Sequence, residues 1–152
     1  MTVHTALVKI EEEKISSETA KKFILSEKNG AESIFIGRVR NENSGKKVTA
    51  VTYDTHDQAV IKSFKSICND AKSKFDKGAN VFLEHAKGYV PVGEISILIA
   101  VGSGHRDEAF KICRYILEEI KHQSPIWKKE HYAEGKEEWL PGHSLRSKKE
   151  IK

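Results

Sequence analysis

The chain lacks the features that define several common protein classes. Two cysteines among 152 residues are too few for a disulfide-stabilised scaffold. The longest apolar run, 95–101, is interrupted by Ser96 and is far shorter than the roughly 20 residues that a membrane-spanning helix needs. The N-terminus has no basic segment, apolar core or small-residue cleavage site of a secretory signal. These absences predict a cytoplasmic protein without a membrane segment.

Patterns typical of metal sites are also missing. The seven histidines form no His-x-x-x-His pair, and there is no Cys-x-x-Cys pair. Cys68 and Cys113 fall on the apolar faces of predicted helices, where a thiol usually behaves as a small hydrophobic group. We therefore predict no protein-bound metal, no cofactor, no disulfide and no cysteine nucleophile.

No strong excess of charge of one sign is present. The 26 basic and 22 acidic residues give a net charge of +4 and a pI near 9.0. This mild excess attracts anionic ligands but does not by itself indicate nucleic acid. A nucleic-acid-binding module would explain the pI, but it needs a continuous basic face with several exposed aromatic side chains. Here the acidic residues are interspersed with the basic ones, and aromatic residues make up 8% of the chain.

Apolar periodicity predicts three helices. Apolar residues recur every three or four positions in each, and Asn29-Gly30 is a stop signal for the first helix. The predicted ranges are about 17–28, 57–76 and 106–122.

The remaining apolar segments predict a sheet. The β-rich segments 33–40 and 48–53 flank a turn-forming stretch and are predicted to form a hairpin. Segments 81–86 and 94–101 are almost entirely apolar, which is typical of strands buried on both faces. We expect one α+β domain over residues 1–152, with a mostly antiparallel or mixed sheet, packed helices and a loose tail from about residue 144.

The segment 124–130 is the first candidate for a binding site. Pro125 cannot continue the preceding helix and restricts the backbone of Ser124, so the direction of the following chain is fixed. Lys128 would then point in a defined direction, beside a large aromatic residue. The alternative is that Trp127 fills an edge of the core beside two solvated lysines. Taken alone, the tripeptide Trp127-Lys-Lys129 favours that alternative.

The segment 102–106 is the second candidate. Its glycines allow close approach of a ligand to the backbone, and the start of a helix favours an anion such as phosphate. His105 and Arg106 could add charge-assisted hydrogen bonds. A nucleotide-binding protein would explain this segment, but Asp107 stands where the dinucleotide fingerprint requires its third glycine. An ordinary helix start capped by Ser103 or Gly104 explains the segment about equally well.

The segment 37–40 is the third candidate. Arg38 and Arg40 lie on one side of a strand if the strand continues that far, and two guanidinium groups on one side favour a bound anion. The commoner explanation is a solvated strand edge whose charges discourage aggregation.

Four sets of residues occur in the order and at the spacing of a known family. They are Phe35-Ile-Gly-Arg-Val-Arg40 with Asn41 and Gly45; Gly93-Glu94; Ser103-Gly-His-Arg106 with Ala109-Phe110; and Lys121 with Ser124-Pro-Ile-Trp-Lys-Lys-Glu130, Gly135 and Trp139. Over about residues 30–140 the chain resembles the catalytic (large) subunit of molybdopterin synthase. It departs from that pattern at Tyr53-Asp-Thr-His-Asp-Gln-Ala59 and at Ala86, where the family usually has a basic residue.

The resemblance implies an α/β hammerhead-like fold and a sulfurtransferase of molybdenum cofactor biosynthesis. Such an enzyme converts cyclic pyranopterin monophosphate (precursor Z) into molybdopterin, with sulfur from the thiocarboxylated C-terminus of a small ubiquitin-like subunit. The implied assembly is a heterotetramer built on a homodimer of the large subunit. By position, Lys121 and Lys128 would be catalytic, and Arg40, His105 and Arg106 would hold the anionic substrate.

Overall fold

Three helices form where the apolar residues recur at helical spacing. In the computed structural model, which describes residues 1–140, they are α1 (Ser17–Ile24), α2 (Asp57–Phe75) and α3 (Arg106–Gln123). The predictions for α2 and α3 are confirmed to within one residue at each end.

Helix α1 ends four residues before its predicted end. Leu25 adopts an extended conformation and is 73% exposed, so a further helical turn would bury little apolar surface there. The Ile24 carbonyl, which a longer helix would use internally, instead accepts hydrogen bonds from the side-chain amides of Asn29 and Asn80 at 3.3 and 3.4 Å.

Within residues 1–140, eight strands form a mixed sheet. They are β1 (Val3–Lys9), β2 (Ala31–Arg38), β3 (Glu42–Asn43), β4 (Lys46–Thr55), β5 (Asn80–Pro91), β6 (Ile95–Ser103), β7 (Ile126–Tyr132) and β8 (Glu137–Trp139). The order along the sheet is β2-β6-β5-β4-β7-β8, while β1 pairs with β5 and β3 pairs with β4. The β1–β5 pair is parallel and the other pairs are antiparallel. The predicted single α+β domain with a mixed sheet is confirmed.

Strand β5 joins two parts of this sheet. Its first half pairs with β1 and β6, and its last residues pair with β4, which leads on to β7 and β8. Residues 96–103 of β6 are all buried, so the prediction of a strand covered on both faces is confirmed there. Helices α2 and α3 pack against each other and over strands of the first part. Cys68 and Cys113 lie in the core that they enclose.

The predicted hairpin between 33–40 and 48–53 is wrong. Strand β2 pairs with β6, and β4 pairs with β3, β5 and β7. The turn signal was real but belongs to the short β3–β4 connection, where Ser44 and Gly45 have φ values of 52° and 80°. The apolar β6 needs a neighbour on each edge, and β2 supplies the second one.

Strands β1, β3, β7 and β8 are absent from the sequence-based prediction. The segment after Pro125, to which the sequence analysis assigned no secondary structure, forms β7 antiparallel to β4. The predicted loose tail from about residue 144 lies outside the described residues. Within residues 1–140, no helix is both long and apolar enough to cross a membrane.

Candidate active site

The end of α3 and the start of β7 fix the positions of two lysines. Pro125 forces Ser124 into an extended conformation (φ −85°, ψ 131°), which ends the helix just after Lys121. The Ser124 hydroxyl is buried and lies 3.0 Å from the Ser63 hydroxyl on α2, so the chain leaves the helix at an anchored point. Strand β7 follows at once and carries Lys128.

Lys128 faces the interior side of β7. Side chains alternate along a strand, so Lys128 shares a face with the buried residues Ile126 and Glu130. Burial is the main cause of a lowered pKa for the Lys128 ammonium. The Glu130 carboxylate opposes this shift, whereas the positive charges of Arg40 and Lys121 add to it. Lys128 therefore loses its proton to give the neutral amine more readily than an ordinary surface lysine does.

Arg40, Lys121 and Lys128 together form the basic cluster. They come from three separate places in the chain: the segment just after β2, the last turn of α3 and the middle of β7. Within residues 1–140, none of the three side chains makes a hydrogen bond or an ion pair. Their proximity without such partners leaves their donors available to an anionic ligand.

The buried carboxylate of Glu130 links strand β7, which carries Lys128, to the segment that follows Arg40. Glu130 is 4% exposed, and its Oε1 accepts hydrogen bonds from Asn43 Nδ2 at 2.8 Å and from the Tyr132 hydroxyl at 3.0 Å. Asn43 lies three residues after Arg40, so this contact ties the Arg40 segment to β7. Sequence reasoning included Glu130 in a motif but gave it no role. Glu130 lies two residues after Lys128, so the two side chains share a face if the segment is a strand. That spacing was the signal in the sequence that could have linked Glu130 to the site.

His85 and Tyr53 lie beneath Lys128. Tyr53 is directly opposite Lys128 in the β4–β7 register, and its ring centroid is 5.0 Å from that of His85. Burial lowers the pKa of His85 to about 4, with a further contribution from the charge of Lys128. The imidazole is thus neutral at pH 7, and its Nδ1 lies 2.7 Å from the Ala86 carbonyl, to which it donates as an N–H. A neutral histidine adds no further positive charge below the cluster.

Arg38 and Arg40 do not share a strand face in the expected way. Strand β2 ends at Arg38 after an irregularity between Gly37 and Arg38. Arg38 donates a 2.7 Å hydrogen bond to the Gly93 carbonyl in the turn between β5 and β6, so this guanidinium is already engaged. Arg40 lies beyond the strand and belongs to the basic cluster.

His105 and Arg106 lie at the opposite end of α3 from Lys121. Arg106 and Lys121 are fifteen positions apart in sequence, which corresponds to about 22 Å along the helix. Both side chains are exposed. His105, rather than Ser103 or Gly104, is the N-cap residue, and its side chain makes no capping hydrogen bond. A single protomer therefore brings together Arg40, Lys121 and Lys128 but not His105 and Arg106.

A separate groove of about 570 Å³ lies beside β4 and β5. Its cations are already neutralised by neighbours, because Lys87 pairs with Asp57 at 2.5 Å and Lys9 lies 3.7 Å from Glu12. This groove is less suited to an anion than the basic cluster is.

The cysteines offer no reactive thiolate. Both are free and buried, as predicted. Burial raises the pKa of the Cys68 thiol to about 12 and also raises the pKa of Cys113. Among residues 1–140, no group of three or more His, Cys, Asp or Glu side chains is arranged to hold a metal ion.

An α+β fold with a cationic cluster around a lysine of lowered pKa is typical of an enzyme that handles anionic substrates. Comparison with known proteins gives the same class more specifically. The sequence model of the MoaE protein family matches residues 10–123. Molybdopterin synthase catalytic subunits from Synechococcus elongatus and Pyrococcus abyssi are 39% and 38% identical over 131 and 130 residues. Each alignment covers 86% of this chain, with 79% and 86% of the respective relatives.

Solved structures agree with the sequence comparison. The crystal structure of molybdopterin synthase from Staphylococcus aureus superposes with a TM-score of 0.82 at 31% identity, covering 90% of this chain and 96% of that one. A complex of subunits 1 and 2 of the molybdopterin-converting factor from Helicobacter pylori contains a chain with the same fold. Its TM-score is 0.73 at 21% identity, with 97% and 96% of the two chains covered. The present chain belongs to the MoaE family of molybdopterin synthase catalytic subunits and is an enzyme subunit of molybdenum cofactor biosynthesis.

Proposed function

We propose that this chain transfers sulfur to a phosphorylated pterin, converting cyclic pyranopterin monophosphate into molybdopterin. The sulfur comes from the thiocarboxylated C-terminus of a small ubiquitin-like subunit. The observation that carries this proposal is the basic cluster of Arg40, Lys121 and Lys128, whose side chains have no hydrogen-bond or ion-pair partner within residues 1–140.

The chemistry of the reaction matches that cluster. A phosphate and a thiocarboxylate are both anionic, so their approach is unfavourable unless nearby cations offset the repulsion. In this proposal the guanidinium of Arg40 binds the substrate anion. In each of the two transfers, the thiocarboxylate sulfur attacks a carbon of the pterin side chain and displaces an oxygen substituent from it, so that sulfur links the small subunit to the pterin. Lys121 and Lys128 supply the proton to the departing oxygen and stabilise the oxyanion that forms when water then attacks the carbonyl carbon bonded to sulfur. That bond breaks, sulfur stays with the pterin, and the small subunit regains its carboxylate.

An external sulfur donor is consistent with the two cysteines. Both thiols are buried and both have raised pKa values, so neither supports a persulfide route through this chain. The chain from Helicobacter pylori with the same fold is found in a complex of two different subunits. We infer that a small partner also binds this chain and inserts its C-terminal tail beside Lys121 and Lys128.

We further propose that the functional unit is a heterotetramer built on a homodimer. His105 and Arg106 lie about 22 Å along α3 from Lys121. They can join the basic cluster if a second copy supplies them. Phe110, one turn after Arg106, is 63% exposed, and Phe35 is 37% exposed, which gives this end of the molecule apolar surface for such a contact.

Reconstitution tests the proposed function. Purified chain, precursor Z and a thiocarboxylated small subunit should yield molybdopterin, measured by mass spectrometry. The same small subunit ending in an ordinary carboxylate is the control and should yield none. Absence of product, despite folded protein and demonstrated binding of the small subunit, would contradict the proposal.

A further inference from the structure

Asp76 links the end of α2 to the loop between β6 and α3. Its Oδ2 accepts a hydrogen bond from the Ser103 hydroxyl at 2.5 Å. Its Oδ1 accepts from the Gly78 backbone N–H at 2.9 Å. One side chain therefore stabilises its own turn and holds a segment 27 residues away.

The same loop is confined on its other side by close backbone approaches. A Cβ atom on Gly102 would lie 2.7 Å from the Ile24 carbonyl oxygen, and a Cβ atom on Gly30 would lie 2.8 Å from the Gly104 carbonyl oxygen. Ser103, between the two loop glycines, is fully buried. The loop thus has little room to shift while the bonds to Asp76 are intact.

This loop leads directly to His105 and Arg106. Neither side chain makes a hydrogen bond or an ion pair within residues 1–140. No hydrogen bond or ion pair within residues 1–140 holds the two side chains in place. Their positions are therefore determined by the backbone of the loop and of the first turn of α3. The position of that backbone depends on the bonds that Asp76 accepts.

We propose that Asp76 is a positioning residue for the substrate anion, acting through Ser103 on His105 and Arg106. Asp76 does not itself contact the substrate. The inference rests on the proposed function, because it concerns how that site binds its phosphorylated substrate.

The choice of variants separates this role from a role in the α2 turn. Asp76→Asn keeps the size of the side chain but replaces one acceptor oxygen with an NH₂ group, which cannot accept from a hydroxyl or an N–H. Ser103→Ala removes the bond to the loop and leaves the bond between Asp76 and Gly78 in place. Asp70→Asn, at an exposed position on the same helix, makes the same charge change and is the control.

Steady-state kinetics of molybdopterin formation provide the test. We expect Asp76→Asn and Ser103→Ala each to raise KM for precursor Z by roughly tenfold, which corresponds to about 1.4 kcal/mol. We expect kcat and the Kd of the small subunit to stay within about twofold of wild type, because the basic cluster is untouched. The double variant should have a KM little higher than that of either single variant, since both substitutions remove the same Ser103–Asp76 hydrogen bond. Asp70→Asn should behave as wild type.

Hydrogen–deuterium exchange adds a readout independent of turnover. Amides of residues 102–108 should exchange faster in both variants, with exchange in β7 unchanged. An unchanged KM in a folded variant, or an equal loss of kcat and of small-subunit affinity, would overturn the inference. If Asp76→Asn does not fold, the same criteria applied to Ser103→Ala decide the matter. An inactive wild-type protein would instead contradict the proposed function, so the two failures are distinguishable.

Discussion

At the scale of single residues, Lys128 and its neighbour Lys129 have opposite surroundings. Lys128 faces the buried side of β7, near Arg40 and Lys121, and its pKa is lowered chiefly by burial. Lys129 points to the other face, where it lies 3.4 Å from Glu137 and 5.0 Å from the centroid of the Trp139 ring. Two lysines adjacent in sequence thus provide a test site and its matched control.

We predict that Lys128→Ala and Lys121→Ala each reduce molybdopterin formation by roughly 10²-fold or more, as expected for loss of a proton-transfer group. Lys129→Ala should retain activity within about twofold. Folding should survive in all three variants, because removing Lys121 or Lys128 relieves repulsion within the basic cluster and Lys129 makes only a partly exposed ion pair with Glu137. Rates from the reconstituted assay and unfolding midpoints would be compared. Equal activity of the Lys128 and Lys129 variants would show that the reaction occurs elsewhere.

His85 gives a prediction for stability in acid. Its pKa is about 4 in the folded protein, against 6.5 for an unperturbed histidine, and burial is the main cause. Between these values the unfolded state binds more protons than the folded state, so the free energy of unfolding falls as pH drops from 6.5 to 4. The full difference corresponds to about 3 kcal/mol.

Urea unfolding at several pH values would measure this effect. His85→Gln should flatten the pH dependence between 6.5 and 4, whatever its effect on stability at pH 7. His56→Gln, at the exposed residue before α2, is the control for loss of a histidine outside the core. An identical pH dependence in the His85 variant and the wild type would mean that His85 is not the group responsible.

At the scale of elements, close packing at β6 distinguishes two glycines only two residues apart. A Cβ atom on Gly102 would lie 2.7 Å from the Ile24 carbonyl oxygen and 2.8 Å from Asn29 Nδ2. Among residues 1–140, no atom beyond the adjacent residues lies within 4 Å of a Cβ atom on Gly104. We predict that Gly102→Ala destabilises the protein by about 1–3 kcal/mol, the usual effect of overpacking. Gly104→Ala should have a much smaller effect. Chemical unfolding of both variants would reveal the difference, and similar losses would contradict this account.

The elements also show which structure the sequence could predict. Helices α2 and α3 were predicted well because their apolar residues lie on one continuous face, a pattern that is local in sequence. Strand β7 was missed because its inward-facing positions include Lys128 and Glu130, which interrupt the alternation of apolar and polar residues. The charges that mark the candidate site thus concealed the strand that holds it.

The wrong hairpin has a different cause. A turn signal reports a change of chain direction but not which strands become neighbours. The pairing of β2 with β6 joins residues more than fifty positions apart, so no local pattern records it. For the site, the resemblance implied catalytic roles for Lys121 and Lys128, and in the structure the charges of Lys121 and Arg40 both act on Lys128. The predicted helix over 106–122 already implied that His105 and Arg106 lie a helix length from Lys121, as the structure shows.

At the scale of the whole molecule, α3 divides the proposed site residues into two groups. Lys121, Lys128 and Arg40 lie near its C-terminal end, and His105 and Arg106 at its N-terminal end, about 22 Å away. A rigid 18-residue helix does not bend to bring its own ends together. If all five residues bind one substrate, each site in a homodimer combines the lysines of one protomer with the histidine and arginine of the other.

This arrangement predicts complementation between two inactive variants. In a dimer of one Arg106→Ala protomer and one Lys121→Ala protomer, one of the two sites carries both substitutions and the other carries neither. Random pairing makes about half of the dimers mixed, so about a quarter of all sites should be restored. Co-expression of the two variants, followed by the molybdopterin assay, would measure this recovery.

A second pair of variants distinguishes a shared site from a general benefit of mixing. Lys121→Ala and Lys128→Ala affect the same half of the site, so each site of their mixed dimer still contains one defective lysine. That pair should therefore show no recovery. Mass spectrometry of the intact assembly would verify that mixed dimers form in both experiments. If verified Arg106→Ala and Lys121→Ala dimers stay inactive, the substrate is held within one protomer, and Arg106, being a helix length from Lys121, is not part of its site.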